Sequence, residues 1–272
     1  MMKSFMPVLV GVLLCLNLPA QQTSTKTISA ERIDKLHGDF EWGNAVFSSW
    51  NRNEIEIKAT YSINDGENDD AFQLKVKEND NQLSVYVDVK DYESLPRKIM
   101  VWKDGVKYIF PEGKNKEENQ RMIREKLGED ARDMYSHGVD IDIQVEINVP
   151  ERLFVDVEST YGNLVFESFQ NKVKARNTYG GIEAVYAAGE TSKEADLSST
   201  YSYVDVTLPG SEGRDVEMTT EYGSLYTDMN IDLDAARSEE RSFYQHVAGT
   251  INRGGASIKM ESTYSSVYLR KK

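Results

Sequence analysis

A stretch of alternating residues that ends in tyrosine occurs five times in the C-terminal half: Val155–Tyr161, Val173–Tyr179, Ala195–Tyr201, Val216–Tyr222 and Ile258–Tyr264. Within each copy the apolar residues recur every second position, as Val155 and Val157 do before Ser159, the pattern of a half-buried strand. Three residues after each tyrosine another apolar residue follows (Leu164, Ile182, Val204, Leu225, Val267), and Gly or Ser directly behind the tyrosine marks a corner between two strands.

The unit, strand then corner then strand, is too short for a helical crossover and carries no hairpin turn. Stacking equivalent residues of successive units meets both constraints, and the expected fold is all-β: a right-handed parallel β-helix, or β-solenoid, with coils of about 21 residues. Tyrosines 161, 179, 201 and 222 then form one column. Tyr264, 42 residues beyond Tyr222, is expected two coils further on, with Phe243 to Ile251 as a degenerate turn between them.

The register places Val155 beside Val173, Val173 beside Ala195 and Ala195 beside Val216. It also aligns Asp156, Lys174, Asp196, Glu217 and Lys259 on the outer face. The last strand is expected at Ile258 to Leu269, at the end of the stack, with Lys271 and Lys272 just beyond it as a defence against edge pairing. By parity the tyrosines share the face of the buried Val and Ala residues. That favours a structural ladder over a sugar-stacking platform and predicts that Tyr179→Ala costs roughly 3 kcal/mol or more.

Further upstream, Ile55 to Tyr61 repeats the strand pattern, and Ala71 to Val76, Leu83 to Val89 and Val139 to Val149 also alternate. Between Pro111 and His137 the alternation stops. There Ile123, Leu127, Ala131 and Met134 fall at helical spacing. Asn119 to Tyr135 is expected to be a helical insertion that packs this stripe against the β-helix. The organisation read from the chain is residues 1–20 as a signal peptide, 21–37 as a flexible leader, 38–150 as N-terminal coils with the insertion near 113–136, and 151–272 as the regular repeats.

The signal peptide is read from Lys3, the apolar run Phe5 to Leu18 and the Leu18-Pro19-Ala20 site. Export places the protein in the periplasm, at the outer-membrane periphery or on the cell surface, with no transmembrane segment after cleavage. Cys15, the only cysteine, lies inside that segment and follows Leu14 rather than the small residue of a lipidation site. The mature chain therefore has no disulfide and no thiolate chemistry. The formal net charge is −13, and −14 once Lys3 is set aside with the signal. Nucleic acid and anionic lipid are excluded as partners on that ground.

The repeat, together with Gly38-Asp-Phe-Glu-Trp-Gly43 and the closing segment Gly249 to Lys271, resembles a bacterial putative-adhesin family of unknown function found in Bacteroides-type bacteria. That resemblance implies a β-helix at the cell envelope and supplies no catalytic residues.

No residue is assigned a catalytic, cofactor-binding or metal-ligating role. His37, His137 and His246 show no zinc spacing. Asp65 to Asp70 lacks the positional pattern of a calcium loop and reads as a polar turn. Asp140, Asp142 and Glu146 read as a solvated strand face. The expected function is a non-catalytic surface that binds an envelope protein or a glycan. The alternative is a polysaccharide-acting lyase or hydrolase, which needs paired carboxylates converging over a groove.

Overall fold

A computed structural model describes residues 21–131, 135–188 and 193–272. The expected signal peptide with Cys15, and Met134 of the helical stripe, lie outside the described residues. The chain enters through β1 (Gln22–Ser29), β2 (Lys35–Phe40), β3 (Asn44–Trp50), β4 (Glu54–Ile63), β5 (Phe72–Asn79) and β6 (Gln82–Val89). A side module follows, made of β7 (Lys98–Lys103), β8 (Val106–Pro111), the helix α1 (Lys116–Leu127) and β9 (Ser136–Gly138). β10 (Ile141–Pro150) then returns to the body.

The repeats supply β11 (Phe154–Ser159), β12 (Leu164–Phe169), β13 (Val173–Asn177), β14 (Ile182–Tyr186), β15 (Ala195–Ser199), β16 (Val204–Leu208), β17 (Arg214–Thr220) and β18 (Leu225–Thr227). Two short strands, β19 (Asp232–Leu233) and β20 (Glu239–Arg241), lead to β21 (Tyr244–Ile251), β22 (Ala256–Ser262) and β23 (Val267–Lys271).

Each unit places one strand in each of two large sheets. One runs β1-β4-β10-β3-β12-β14-β16-β23-β18, and the other runs β19-β21-β17-β22-β15-β13-β11-β2-β6-β5. The alternation explains what lies between them. Val155, Val157, Leu164, Phe166, Val173, Ala175, Ile182 and Ala184 are all buried in one continuous core, joined by Phe40 and Phe47. Such a core supplies most of the stabilisation, since each fully buried aliphatic side chain contributes about 1.5–3 kcal/mol.

The right-handed parallel β-helix of about 21-residue coils is not what forms. Both sheets are mixed: β1 pairs antiparallel with β4 and β4 with β10 in one, β5 with β6 and β17 with β21 in the other. Period-two alternation reports which face a strand buries and is the same for parallel and antiparallel partners, so it does not decide direction. Turn chemistry does. β5 and β6 are joined through Asp80-Asn81, with Asp80 in the left-handed region, and β7 and β8 through Asp104-Gly105, both at positive φ. These are two-residue hairpin turns.

Strand order departs from chain order as well. Val155 pairs with Val173 and Val173 with Ala195, but Ala195 pairs with Ile258, which pairs on its other side with Val216. The last unit, β22 and β23, is therefore inserted between β15–β16 and β17–β18. The final strand is interior, and Lys271 is its last residue. Phe243 to Ile251 makes no parallel turn: β21 runs antiparallel along β17.

Residues 21–37, expected as a flexible leader, hold β1 and the start of β2, and β1 pairs along its whole length with β4. In the span expected to be helical from Asn119 to Tyr135, α1 ends at Leu127. Asn115 caps its start by accepting from the Glu118 amide at 2.9 Å, and Gly128, at φ 98, follows its end. Its buried Ile123 does not pack on the large sheets. It joins Ile99, Val101 and Ala131 in a separate core with the three-stranded sheet β8-β7-β9.

Candidate functional site

The five repeat tyrosines are set by a corner built the same way in every unit. The strand ends one residue before a Thr or Glu, and its last side chain, Ser159, Asn177, Ser199, Thr220 or Ser262, turns inward and is buried. From Asn177 onward each of these side chains accepts the amide three residues ahead, as Asn177 does from Gly180 at 2.9 Å and Ser199 from Ser202 at 3.2 Å. Each also donates to a carbonyl of the neighbouring corner, as Asn177 does to Gly162 at 2.7 Å and Ser262 to Ser202 at 2.7 Å. The corners approach so closely that a Cβ on Gly180 would sit 2.0 Å from the Gly162 carbonyl oxygen.

Backbone bonds then lock the tyrosine position, with Tyr179 N–H donating to Thr160 and Tyr201 N–H to Thr178. Because the strand has already ended, the parity of its residues no longer applies. The tyrosines point outward, with Tyr161, Tyr179, Tyr201 and Tyr264 each about half exposed.

The rings stack face to face. Tyr161 and Tyr179 are 5.2 Å apart at 3°, Tyr179 and Tyr201 5.0 Å at 8°, Tyr201 and Tyr264 5.0 Å at 6°, and Tyr264 and Tyr222 5.2 Å at 6°. The column order is thus 161, 179, 201, 264, 222, so the expected place of Tyr264, two coils beyond Tyr222, is corrected to one between Tyr201 and Tyr222. Aromatics from outside the repeats extend it. Trp42 stacks on Tyr161 at 4.5 Å, Tyr92 on Trp42 at 4.5 Å, and Phe243 lies 5.9 Å from Tyr222 at the far end.

Half exposure lowers the expected cost of truncation. Tyr179→Ala should destabilise by about 2 kcal/mol, from two ring contacts and half a buried side chain, rather than 3 or more. A urea titration checks this, and a loss of 4 kcal/mol or more would show the ring to be a core element.

Where the column begins, an open cleft of about 1000 Å³ cuts into the outer face of β2, β6 and β5. Trp42, Tyr92 and Tyr161 form one wall. The floor comes from outward positions of the strands: Asp39 on β2, Tyr86 and Asp88 on β6, Gln73, Lys75 and Lys77 on β5. Glu41, Asp91, Glu93 and Ser94 complete the rim. Asp91, at φ 52, starts the tight turn that swings Tyr92 against Trp42. Glu41 accepts from the Thr160 hydroxyl at 3.0 Å, and the Lys77 ammonium lies 5.8 Å from the centre of the Tyr86 ring.

Of these residues the sequence pointed only to Tyr161 and, within the motif Gly38 to Gly43, to Asp39, Glu41 and Trp42. Lys75, Tyr86, Asp88 and Tyr92 carry no motif, because they meet only through pairing of strands far apart in the chain.

The other residues weighed from the sequence do not converge. His37 lies 3.9 Å from Asp156, His137 pairs with Glu112 at 2.8 Å, and His246 meets Thr219 at 2.9 Å. Among the described residues no group of three His, Cys, Asp or Glu is placed to hold a metal ion. In the segment Asp65 to Asp70, the Asp69 carboxylate accepts the Ile63 amide at 2.8 Å, a turn-closing role. Asp140 is buried and gripped by Lys107 at 2.8 and 3.0 Å, so it is not on a solvated face.

Two tyrosines outside the ladder have perturbed hydroxyls. Tyr203 is pushed up to about 12 by its hydrogen bond to Glu183, and burial raises Tyr186 above the usual phenol range. Both lie away from the cleft. No described helix is long and apolar enough to cross a membrane.

No family model matches the chain, and no curated protein sequence matches it. Among solved structures it is similar to a putative cell adhesion protein from Clostridium sporogenes, with a TM-score of 0.55 at 11% identity over 93% of this chain and 100% of that one. A putative adhesin from Bacteroides fragilis aligns over 93% of this chain and 99% of that one at 11% identity, with a TM-score of 0.31. One from Parabacteroides merdae aligns over 91% and 96% at 9% identity, with a TM-score of 0.22. The likeness to the Clostridium sporogenes protein is one of fold.

Proposed function

We propose that this is an exported, adhesin-like binding protein of the cell envelope and that the cleft at the head of the aromatic column holds a neutral glycan. The observation that carries the reading is the composition of the cleft. Sugar recognition needs an aromatic wall against C–H faces and a fixed set of carboxylate, amide and ammonium groups against vicinal hydroxyls. Tyr92, which stacks on Trp42 through one face, supplies the first with its other face; Asp39, Asp88, Gln73 and Lys75 supply the second. Its mouth is open, which suits one segment of a larger glycan better than an engulfed small molecule.

The carboxylates on its rim also suit the polysaccharide-acting alternative, so the two readings must be separated chemically. A glycosidase requires one carboxyl kept protonated by apolar surroundings. Asp39, Asp88, Asp91 and Glu93 are solvent-exposed, and Glu41, the one half-buried carboxylate of the rim, is engaged as acceptor of the polar Thr160 hydroxyl, which favours binding without turnover.

Titration of the mature chain with neutral oligosaccharides, followed by Trp fluorescence, tests the proposal. The double variant Asp39→Asn, Asp88→Asn should weaken binding at least tenfold while leaving the melting curve unchanged. Binding that ignores both substitutions would sink the cleft as the site. New reducing ends produced by the parent chain and lost in the variant would favour the enzyme.

A further inference from the structure

Beyond the cleft, the tyrosine column poses a question that packing alone does not answer. Stacking at 5.0–5.2 Å and 3–8° covers both faces of Tyr179, Tyr201 and Tyr264, so none of these rings offers a face to a ligand. What they present is a row of ring edges and phenolic hydroxyls. Phenylalanine would stack as well, yet all five repeat positions are tyrosine, and no described residue hydrogen-bonds their hydroxyls.

Beside this row runs a second. Thr160, Thr178, Thr200 and Thr263 each precede a ladder tyrosine, are partly exposed, and repeat at the same spacing; Glu221 ends the row beside Tyr222. The result is a strip with two hydroxyls on each of the rungs of Tyr161, Tyr179, Tyr201 and Tyr264, uncharged between Glu41, which takes the Thr160 hydroxyl at one end, and Glu221 at the other, on a protein whose formal net charge is −13.

We propose that this strip is a binding track for an extended neutral polysaccharide whose first units occupy the cleft; the inference rests on the cleft's assignment to a glycan. A phenol and a threonine hydroxyl each donate and accept, so each rung matches the mixed donor and acceptor edge of one pyranose. The rung spacing of 5.0–5.2 Å is close to the advance per sugar in an extended chain of equatorially linked pyranoses, so rungs and sugars stay in register along the strip. Tyr161 belongs to both features, as a wall of the cleft and the first rung of the strip. A protein partner fits less well, because hot spots need pockets for anchoring side chains and a closed stack has none.

The test compares dimers and octamers of neutral β-1,4-linked glucose, mannose, xylose and N-acetylglucosamine on the mature chain, by calorimetry. For at least one backbone the octamer should bind at least tenfold tighter than the dimer. The triple variant Tyr179→Phe, Tyr201→Phe, Tyr264→Phe keeps the stack and removes three hydroxyls, and it should bring the octamer down to the dimer's affinity without altering the dimer. An octamer that gains nothing over a bound dimer, or a gain that survives the triple variant, overturns the track and leaves the cleft standing. Octamer binding that needs the tyrosine hydroxyls but is indifferent to Asp39→Asn and Asp88→Asn supports the track and overturns the cleft. No binding of any of these sugars overturns both.

Discussion

Deleting Ala256–Lys272 is expected to abolish cooperative folding rather than trim one end of the protein. β22 lies between β15 and β17, and β23 between β16 and β18, so the deletion opens a slot through both sheets. Ile258, Met260, Val267 and Leu269 are fully buried in that slot. Their loss alone removes roughly 6–12 kcal/mol of apolar burial, against a typical total stability of about 5–15 kcal/mol. What remains beyond the slot, β17 with β21 and a three-residue β18, keeps no partner in the body of either sheet. A chain ending at Gly255 should show no sharp thermal transition in circular dichroism and should aggregate through its four open strand edges. A cooperative melt within a few degrees of the parent would refute the interior placement. An edge unit of equal size would cost about half as much, because it has one neighbour instead of two.

That insertion was legible, although chain order hid it. In sequence order the outer column would set Asp196 beside Glu217, a like-charge contact that destabilises a strand pair. In the observed order Asp156, Lys174, Asp196, Lys259 and Glu217 alternate in sign without exception. The interval of 42 residues between Tyr222 and Tyr264 has the same meaning: an excursion through β19 to β21 before the last unit returns to an inner slot.

The hairpin turns were legible too, since Asp104-Gly105 is among the strongest short signals for one. That turn closes the side sheet, and the Asp80-Asn81 turn, which joins β5 and β6 in a large sheet, is the one that excludes a uniformly parallel coil. The strand faces, the corners and the existence of a tyrosine column follow from local patterning. The cleft does not, because Asp39, Tyr86 and Lys75 come together only once β2 pairs with β6 and β6 with β5. Pairing between distant segments leaves no periodic trace in the chain.

Position 177 should be the most sensitive of the polar corner positions in the repeats. Asn177 is 3% exposed, and its side chain closes three hydrogen bonds: to the Gly162 carbonyl at 2.7 Å, to the Gly181 carbonyl at 3.2 Å and from the Gly180 amide at 2.9 Å. Asn177→Ala leaves those groups buried without a side-chain partner, at a cost of about 1–3 kcal/mol for each group left unpaired, so a net loss of roughly 3 kcal/mol is expected. Asn177→Ser should recover most of it, because serine fills the same inward position at 159, 199 and 262. At Ser199 and Ser262 the hydroxyl accepts the amide three residues on and donates to the adjacent corner. Only the Gly181 bond has no counterpart there, and its absence should hold the serine variant within about 1 kcal/mol of the parent. Urea midpoints at constant m-value give both numbers. Equal losses for alanine and serine would assign the cost to lost packing volume, and an unaffected alanine variant would mean that water closes the corner as well as the amide does.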